Sequence, residues 1–168
     1  VLLEFESPHE ETLNQAMQVF EACMEKGWVV DGVLSQSLEQ LKNLWRLRED
    51  ITESLSGYTT NKNDISVLIS HVPAFINDIE QFFAQHYAAF ETCWFGHIGD
   101  GNLHLNVVKP QDMPIPEFYE LCKYINPKIF ELVAKYGGSI SAEHGVGLTK
   151  KPYLTYSRRH AEVEYMRG

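Results

Sequence analysis

The stretch Gly96-His97-Ile98-Gly99-Asp100-Gly101-Asn102-Leu103-His104-Leu105-Asn106 places two imidazoles and a carboxamide around a turn. Asp-Gly is a favoured two-residue hairpin turn because both of its positions take positive φ. With Asp100 and Gly101 in that turn, Gly99 faces Asn102, Ile98 faces Leu103 and His97 faces His104. Opposed residues on one face of a hairpin have Cβ atoms about 4.5–5.5 Å apart, so the two imidazoles converge on one ion. Asn106 points to the same side, one step further along. Ile98, Leu103, Leu105 and Val107 point to the other side, which is apolar and suits a core. The hairpin thus has a wet chemical side and a dry packed side.

Two histidines are too few for a metal site. Ser141-Ala142-Glu143-His144-Gly145-Val146-Gly147 offers a further ligand in a segment whose glycines permit tight turns. Glu143 and His144 are adjacent and point in different directions, so one is available to a metal and the other to a proton. Two histidines and a carboxylate suit Zn²⁺, or another divalent ion with open positions for substrate. Spacing alone leaves open a plain surface pair of histidines and an ordinary loop Glu-His.

The elements that must position these groups are legible in outline. Val1–Phe5 reads as a short strand. Ser7-Pro8-His9-Glu10 reads as a capped helix start, with a helix to Lys26 that stops at Gly27. Residues 28–33 read as a strand and turn, 37–55 as a second helix, and 57–63 as a polar loop. Residues 65–69 read as a strand, and a third helix begins near Pro73 with Phe75, Ile79, Phe82 and Phe83 on one side. The hairpin strands are expected at 90–98 and 103–109. A long helix then covers about 116–136, with Pro127 as a kink, and Ser139–Ser141 forms a short strand. A basic helix begins near Ser157. This order predicts an α+β fold in which an antiparallel or mixed sheet is covered by helices.

Composition narrows the function classes. The 168 residues are 44% hydrophobic and 22% charged, which describes one globular domain. A net charge of −9 argues against a nucleic-acid surface, since phosphate binding needs clustered positive charge. No apolar run approaches the roughly 20 residues of a membrane span. Cys23, Cys93 and Cys122 have no zinc-finger spacing and read as plain thiols, in keeping with a reducing, cytoplasmic compartment. Peripheral attachment to a membrane through another part of a longer chain stays open. The N-terminus has no basic region and no initiator Met, and the chain reads as an excised piece.

Four blocks resemble one family, the flavoenzymes of the vanillyl-alcohol-oxidase type that include D-lactate, glycolate and D-2-hydroxyglutarate dehydrogenases. Gly96–Asn106 is similar to their Gly-His-x-Gly-Asp-Gly-Asn-x-His stretch, and Ser141–Gly147 to their Glu-His-Gly-x-Gly stretch. Leu44-Trp45-Arg46-Leu47-Arg48-Glu49 with Ile51-Thr52, and Lys62-Asn63-Asp64-Ile65-Ser66-Val67, complete the set in the family's order. The resemblance implies a cap or substrate domain with a ferredoxin-like α+β core. It also implies FAD carried on a separate domain, to which nothing in residues 1–168 corresponds, and no flavin-binding residue is assigned here.

By the same resemblance His97, His104 and Glu143 are the metal ligands, with Zn²⁺ the expected ion. His144 is the base that takes the substrate hydroxyl proton. Arg48, Thr52 and Lys62 hold the substrate carboxylate, with Asn106 as a further contact. Asp50 replaces a residue that is often basic in relatives, and Leu68 stands where many have proline. Two cations, Arg48 and Lys62, point toward a dicarboxylate such as 2-hydroxyglutarate. The expected partners are the 2-hydroxyacid and the FAD-binding domain of the same full-length protein, and homodimerisation is left open. Two other readings use the same residues: a metal-dependent hydrolase in which His144 activates water, and a non-catalytic module stapled by its metal.

Overall fold

Period-two alternation in residues 102–108 sends Leu103, Leu105 and Val107 to one side of a strand and Asn102, His104 and Asn106 to the other. That strand is the centre of the sheet. The computed structural model describes residues 1–5 and 10–167, and it divides the chain into two units, Val1–Gly57 and Tyr58–Gly168.

The first unit holds α1 (Glu10–Glu25), α2 (Leu38–Glu49) and α3 (Ile51–Ser54). Ser37 caps α2 by accepting from the Gln40 N–H at 3.2 Å, a position where Ser is strongly preferred. The single helix expected over 37–55 is broken at Asp50, which ends α2 and precedes α3. The Asp50 carboxylate pairs with Arg46 one turn back at 3.1 Å, an exposed pair of small energetic value. The strands expected at 1–5 and 28–33 do not form. A strand needs a ladder partner for its backbone groups, and neither segment forms a β-ladder with any described residue. The expected cap at Ser7–His9 lies outside the described residues.

The second unit is built from β1 (Thr60–Ser66), α4 (Val72–His86), β2 (Glu91–His97), β3 (Asn102–Val108), α5 (Ile115–Lys135), α6 (Gly147–Lys150) and α7 (His160–Met166). The sheet is antiparallel in the order β1-β3-β2. Ser139 adds an antiparallel bridge to Ser66 on the outer side of β1, with paired N–H···O bonds of 2.8 and 2.9 Å. The sequence β-α-β-β-α-bridge is the ferredoxin-like arrangement, its fourth strand reduced to one bridge. The polar loop expected over 57–63 is instead largely β1, because β3 offers a complete edge to Thr60–Ser66 despite the polar composition.

The apolar face of the sheet packs beneath α4 and α5. Val72, Phe75, Ile79 and Phe83 of α4 and Phe118, Cys122, Ile125, Ile129, Phe130 and Val133 of α5 are buried at helical spacing. Each fully buried Phe stabilises the unit by roughly 1.5–3 kcal/mol relative to exposure. Helix α5 runs on through Pro127, which removes one ladder donor. Next to it Asn126 accepts from the Asn61 amide at 2.6 Å, tying the helix to β1. Burial pushes the Cys122 thiol up to about 11. Alkylation of the native protein with iodoacetamide at pH 8, read by peptide mass spectrometry, is expected to leave Cys122 unmodified until denaturant is added. No helix among the described residues is long and apolar enough to cross a membrane.

Candidate metal centre

The polar face of the sheet is a grid of three rows. Strand pairing aligns Ser66, Asn102 and His97 in one row, Asp64, His104 and Phe95 in the next, and Lys62, Asn106 and Cys93 in the third. His97, His104 and Asn106 therefore share a face, as the alternation requires, but the register differs from expectation by two residues. His97 faces Asn102, and Phe95 faces His104. The turn is not the two-residue Asp100-Gly101. Ile98–Asp100 forms a short 3₁₀ turn closed by Gly101 at φ 66°. This longer turn needs only one left-handed residue, and that residue is glycine, whereas the shorter turn would force Asp100 there as well.

The Glu143-His144 segment reaches the middle row. His104 Nε2 lies 3.1 Å from Glu143 Oε1, His144 Nε2 lies 3.4 Å from the same oxygen, and His97 Nδ1 lies 3.8 Å from Glu143 Oε2. Asp64, His104, Glu143 and His144 each offer one ligand atom within 4.8 Å of all the others. His97 stands just outside that group of four, its ring centroid 6.4 Å from that of His104. Phe95 lies against His104 with ring centroids 4.9 Å apart and fixes the plane of the imidazole.

The loop is held from beneath by Asp64. Its Oδ2 accepts the backbone N–H groups of Ala142, Glu143 and His144 at 3.1, 3.1 and 3.0 Å, and the Ser141 hydroxyl at 3.3 Å. Lys150 donates from Nζ to the backbone carbonyls of Asp64 and Ile140, so α6 clamps β1 to the start of the loop. Burial by itself raises the Asp64 carboxyl. The three N–H donors and the Lys150 charge outweigh it and hold the carboxyl below its ordinary value.

The donor set fits a divalent cation. His104 presents one nitrogen to each of two carboxylates, with Nδ1 3.7 Å from Asp64 Oδ1 and Nε2 toward Glu143. A neutral imidazole carries one ring proton, so a second proton or a cation is needed to satisfy both sides. Imidazole and carboxylate together suit Zn²⁺ and its neighbours. His104 and Glu143, with His144, Asp64 or His97 beside them, are the residues that would hold such an ion, which would supply Lewis-acid polarisation of an oxygen.

Comparison with known proteins identifies the family. The family of FAD linked oxidases, C-terminal domain, matches residues 1–168. The chain belongs to that family. It is 58% identical over 167 residues to a D-2-hydroxyglutarate dehydrogenase of Stutzerimonas stutzeri, covering 99% of this chain and 36% of that protein. It is 48% identical over 168 residues to a D-2-hydroxyglutarate dehydrogenase of Xanthomonas citri pv. viticola, covering 100% and 36%. A putative mitochondrial D-lactate dehydrogenase of Schizosaccharomyces pombe is 35% identical over 178 residues, covering 99% and 33%. The chain thus spans about a third of the length of these relatives.

The structure gathers His97, His104 and His144 around the Glu143 carboxylate, with Asn106 and Lys62 in the adjoining row of the sheet. Arg48, half-buried in α2, and Thr52, exposed in α3, belong to the other unit. Sequence reasoning missed Asp64 and Lys150. Asp64 lay within a recognised block but next to a segment read as loop, and only strand alternation through 60–66 puts it on the face of His104. Lys150 carried no sequence signal, because an adjacent Lys151 makes the pair look like solvated charge.

Proposed function

We propose that this chain is the substrate- and metal-binding part of an FAD-dependent dehydrogenase that oxidises a D-2-hydroxyacid to the 2-oxoacid. The convergence of His104, His97 and His144 on the Glu143 carboxylate carries the reading. Oxidation at the 2-position removes a hydroxyl proton and a hydride from one H–C–O–H unit. His144, exposed at the lip of the cluster, is the candidate to take the proton, imidazole being the side chain most often used as a general base. No side chain here accepts a hydride, and a flavin supplies that acceptor when bound.

The substrate carboxylate needs a fixed cation. Lys62 projects from the polar face beside Asn106, two residues along β1 from Asp64, and offers a point charge with an amide next to it. Arg48 and Thr52 are the further carboxylate contacts that the family resemblance implies, the guanidinium offering a two-pronged fork. Two cations suit a dicarboxylate, and the names of the relatives at 58% and 48% identity support 2-hydroxyglutarate in particular.

The test uses the full-length protein that carries this chain. Flavin absorbance is followed after anaerobic mixing with D-2-hydroxyglutarate, D-lactate or glycolate, with bound metal measured by mass spectrometry. Flavin bleaching fastest with D-2-hydroxyglutarate, slowed on the order of a thousandfold in His144→Gln, is the expected result. No bleaching with any 2-hydroxyacid overturns the proposal, and hydrolytic turnover without flavin would assign the site to a metal-dependent hydrolase instead.

A further inference from the structure

Among the described residues the outer edge of β1 carries a single bridge, Ser66 to Ser139. Both N–H···O bonds of that pair are made, so continued antiparallel pairing would set Ser141 opposite Asp64 as the next hydrogen-bonded pair. The ladder stops instead. The Asp64 carbonyl, which the Ser141 N–H would have reached, accepts from Lys150 Nζ at 2.7 Å. The same ammonium donates to the Ile140 carbonyl at 2.5 Å, and the Ser141 N–H turns back to the Ser139 hydroxyl at 3.3 Å. Had the strand continued, Glu143 would stand opposite Lys62, one row away from His104, and His144 would face the other side of the sheet, because successive strand residues alternate. In the structure both side chains stand over the row of His104, with Glu143 Oε1 3.1 Å from His104 Nε2 and the His104 and His144 ring centroids 5.6 Å apart.

We propose that Lys150 is the positioning residue of this centre. Its ammonium takes the place of a strand donor, ends the fourth strand after one bridge, and so turns Glu143 and His144 together over the polar face. The N–H groups of 142–144, released from the edge of β1, are then gathered by Asp64 Oδ2. Lys150 is half-buried, and its two bonds offset the hydration and side-chain freedom that it gives up there. The consequence for a metal rests on the proposed function, but the consequence for the loop does not.

Lys150→Met removes the charge and both donors at similar length. Lys150→Gln, polar and neutral, replaces it if the first variant does not fold, and Lys151→Met at the exposed neighbour controls for charge alone. The full-length protein is used throughout. Hydrogen exchange is read peptide by peptide without metal, Zn²⁺ affinity by competition with a chelator, and flavin reduction by D-2-hydroxyglutarate under anaerobic conditions. Lys150→Met is expected to speed exchange in residues 142–147 about tenfold and to leave β2 and β3 as in wild type. Zn²⁺ is expected to bind about 10–100-fold more weakly. The maximal rate of flavin reduction falls by a similar factor, while the half-saturating acid concentration stays within about threefold, because Lys62 and Asn106 are untouched. Lys151→Met is expected to match wild type in every readout. Unchanged exchange in 142–147 overturns the inference. So does exchange that rises equally through β2 and β3, which would make Lys150 a support of the whole unit. Wild type that neither binds Zn²⁺ nor reduces its flavin defeats the proposed function, and the exchange comparison still decides the role of Lys150.

Discussion

His104→Ala is expected to abolish metal binding at the proposed centre, and Cys93→Ser to leave it intact. The first substitution removes the buried imidazole of the donor group, which lies 3.1 Å from the Glu143 carboxylate. Structural zinc sites bind with roughly 10–16 kcal/mol shared among about four ligands, so one ligand corresponds to roughly a hundred- to a thousandfold in affinity. Cys93 is a stringent control. It lies on the same face of the same sheet, opposite Asn106, yet one row away from His104 and outside the donor group. Dialysed proteins compared by mass spectrometry are expected to show near-stoichiometric metal in wild type and Cys93→Ser, and almost none in His104→Ala. Because His104 is buried, thermal melting of each variant shows whether the loss is local. Equal metal in all three would remove His104 from the centre.

Gly101→Ala is expected to destabilise the hairpin strongly, whereas Gly99→Ala two residues earlier is nearly silent. Gly101 closes the 3₁₀ turn at φ 66°, a conformation that costs a residue with a Cβ about 1–2 kcal/mol. A Cβ built there would stand 1.9 Å from the Val67 carbonyl oxygen, and backbone cannot step aside as a side chain can. The same approach is fixed by a hydrogen bond, since the Val67 N–H donates to the Gly101 carbonyl at 3.1 Å. Forcing the strands apart adds about 1–3 kcal/mol. The total, about 3 kcal/mol, is a large part of the stability of a small unit and corresponds to a melting temperature lower by on the order of 10 °C. A Cβ at Gly99 meets nothing within 4 Å, so Gly99→Ala is expected within about 0.5 kcal/mol of wild type. Thermal denaturation of the two variants side by side decides it, and equal melting temperatures would refute the close approach.

The amino-acid sequence alone determined which residues share a face. Strand alternation is strictly two, so His104 and Asn106 had to point one way and Leu103, Leu105 and Val107 the other, and His97 stays with the first set because the register moved by an even number of residues. Helical spacing likewise determined the buried stripes of α4 and α5. The Glu143-His144 pair stood out by its residue types and its flanking glycines. Register was different, because it depends on which turn is cheapest, and the turn that forms puts only Gly101 in the left-handed region and seats it against Val67 outside the hairpin. Strand formation at 60–63 was also decided from outside, by the open edge of β3, against a polar composition that reads locally as loop. The segments at 1–5 and 28–33 show the converse, where apolar residues alone did not make strands. Asp64 and Lys150 acquire their places only through partners far along the chain, the N–H groups of 142–144 for one and the carbonyls of Asp64 and Ile140 for the other. Local periodicity encodes the direction of a side chain. The partner that it meets there is set by the packing of segments that local sequence does not relate.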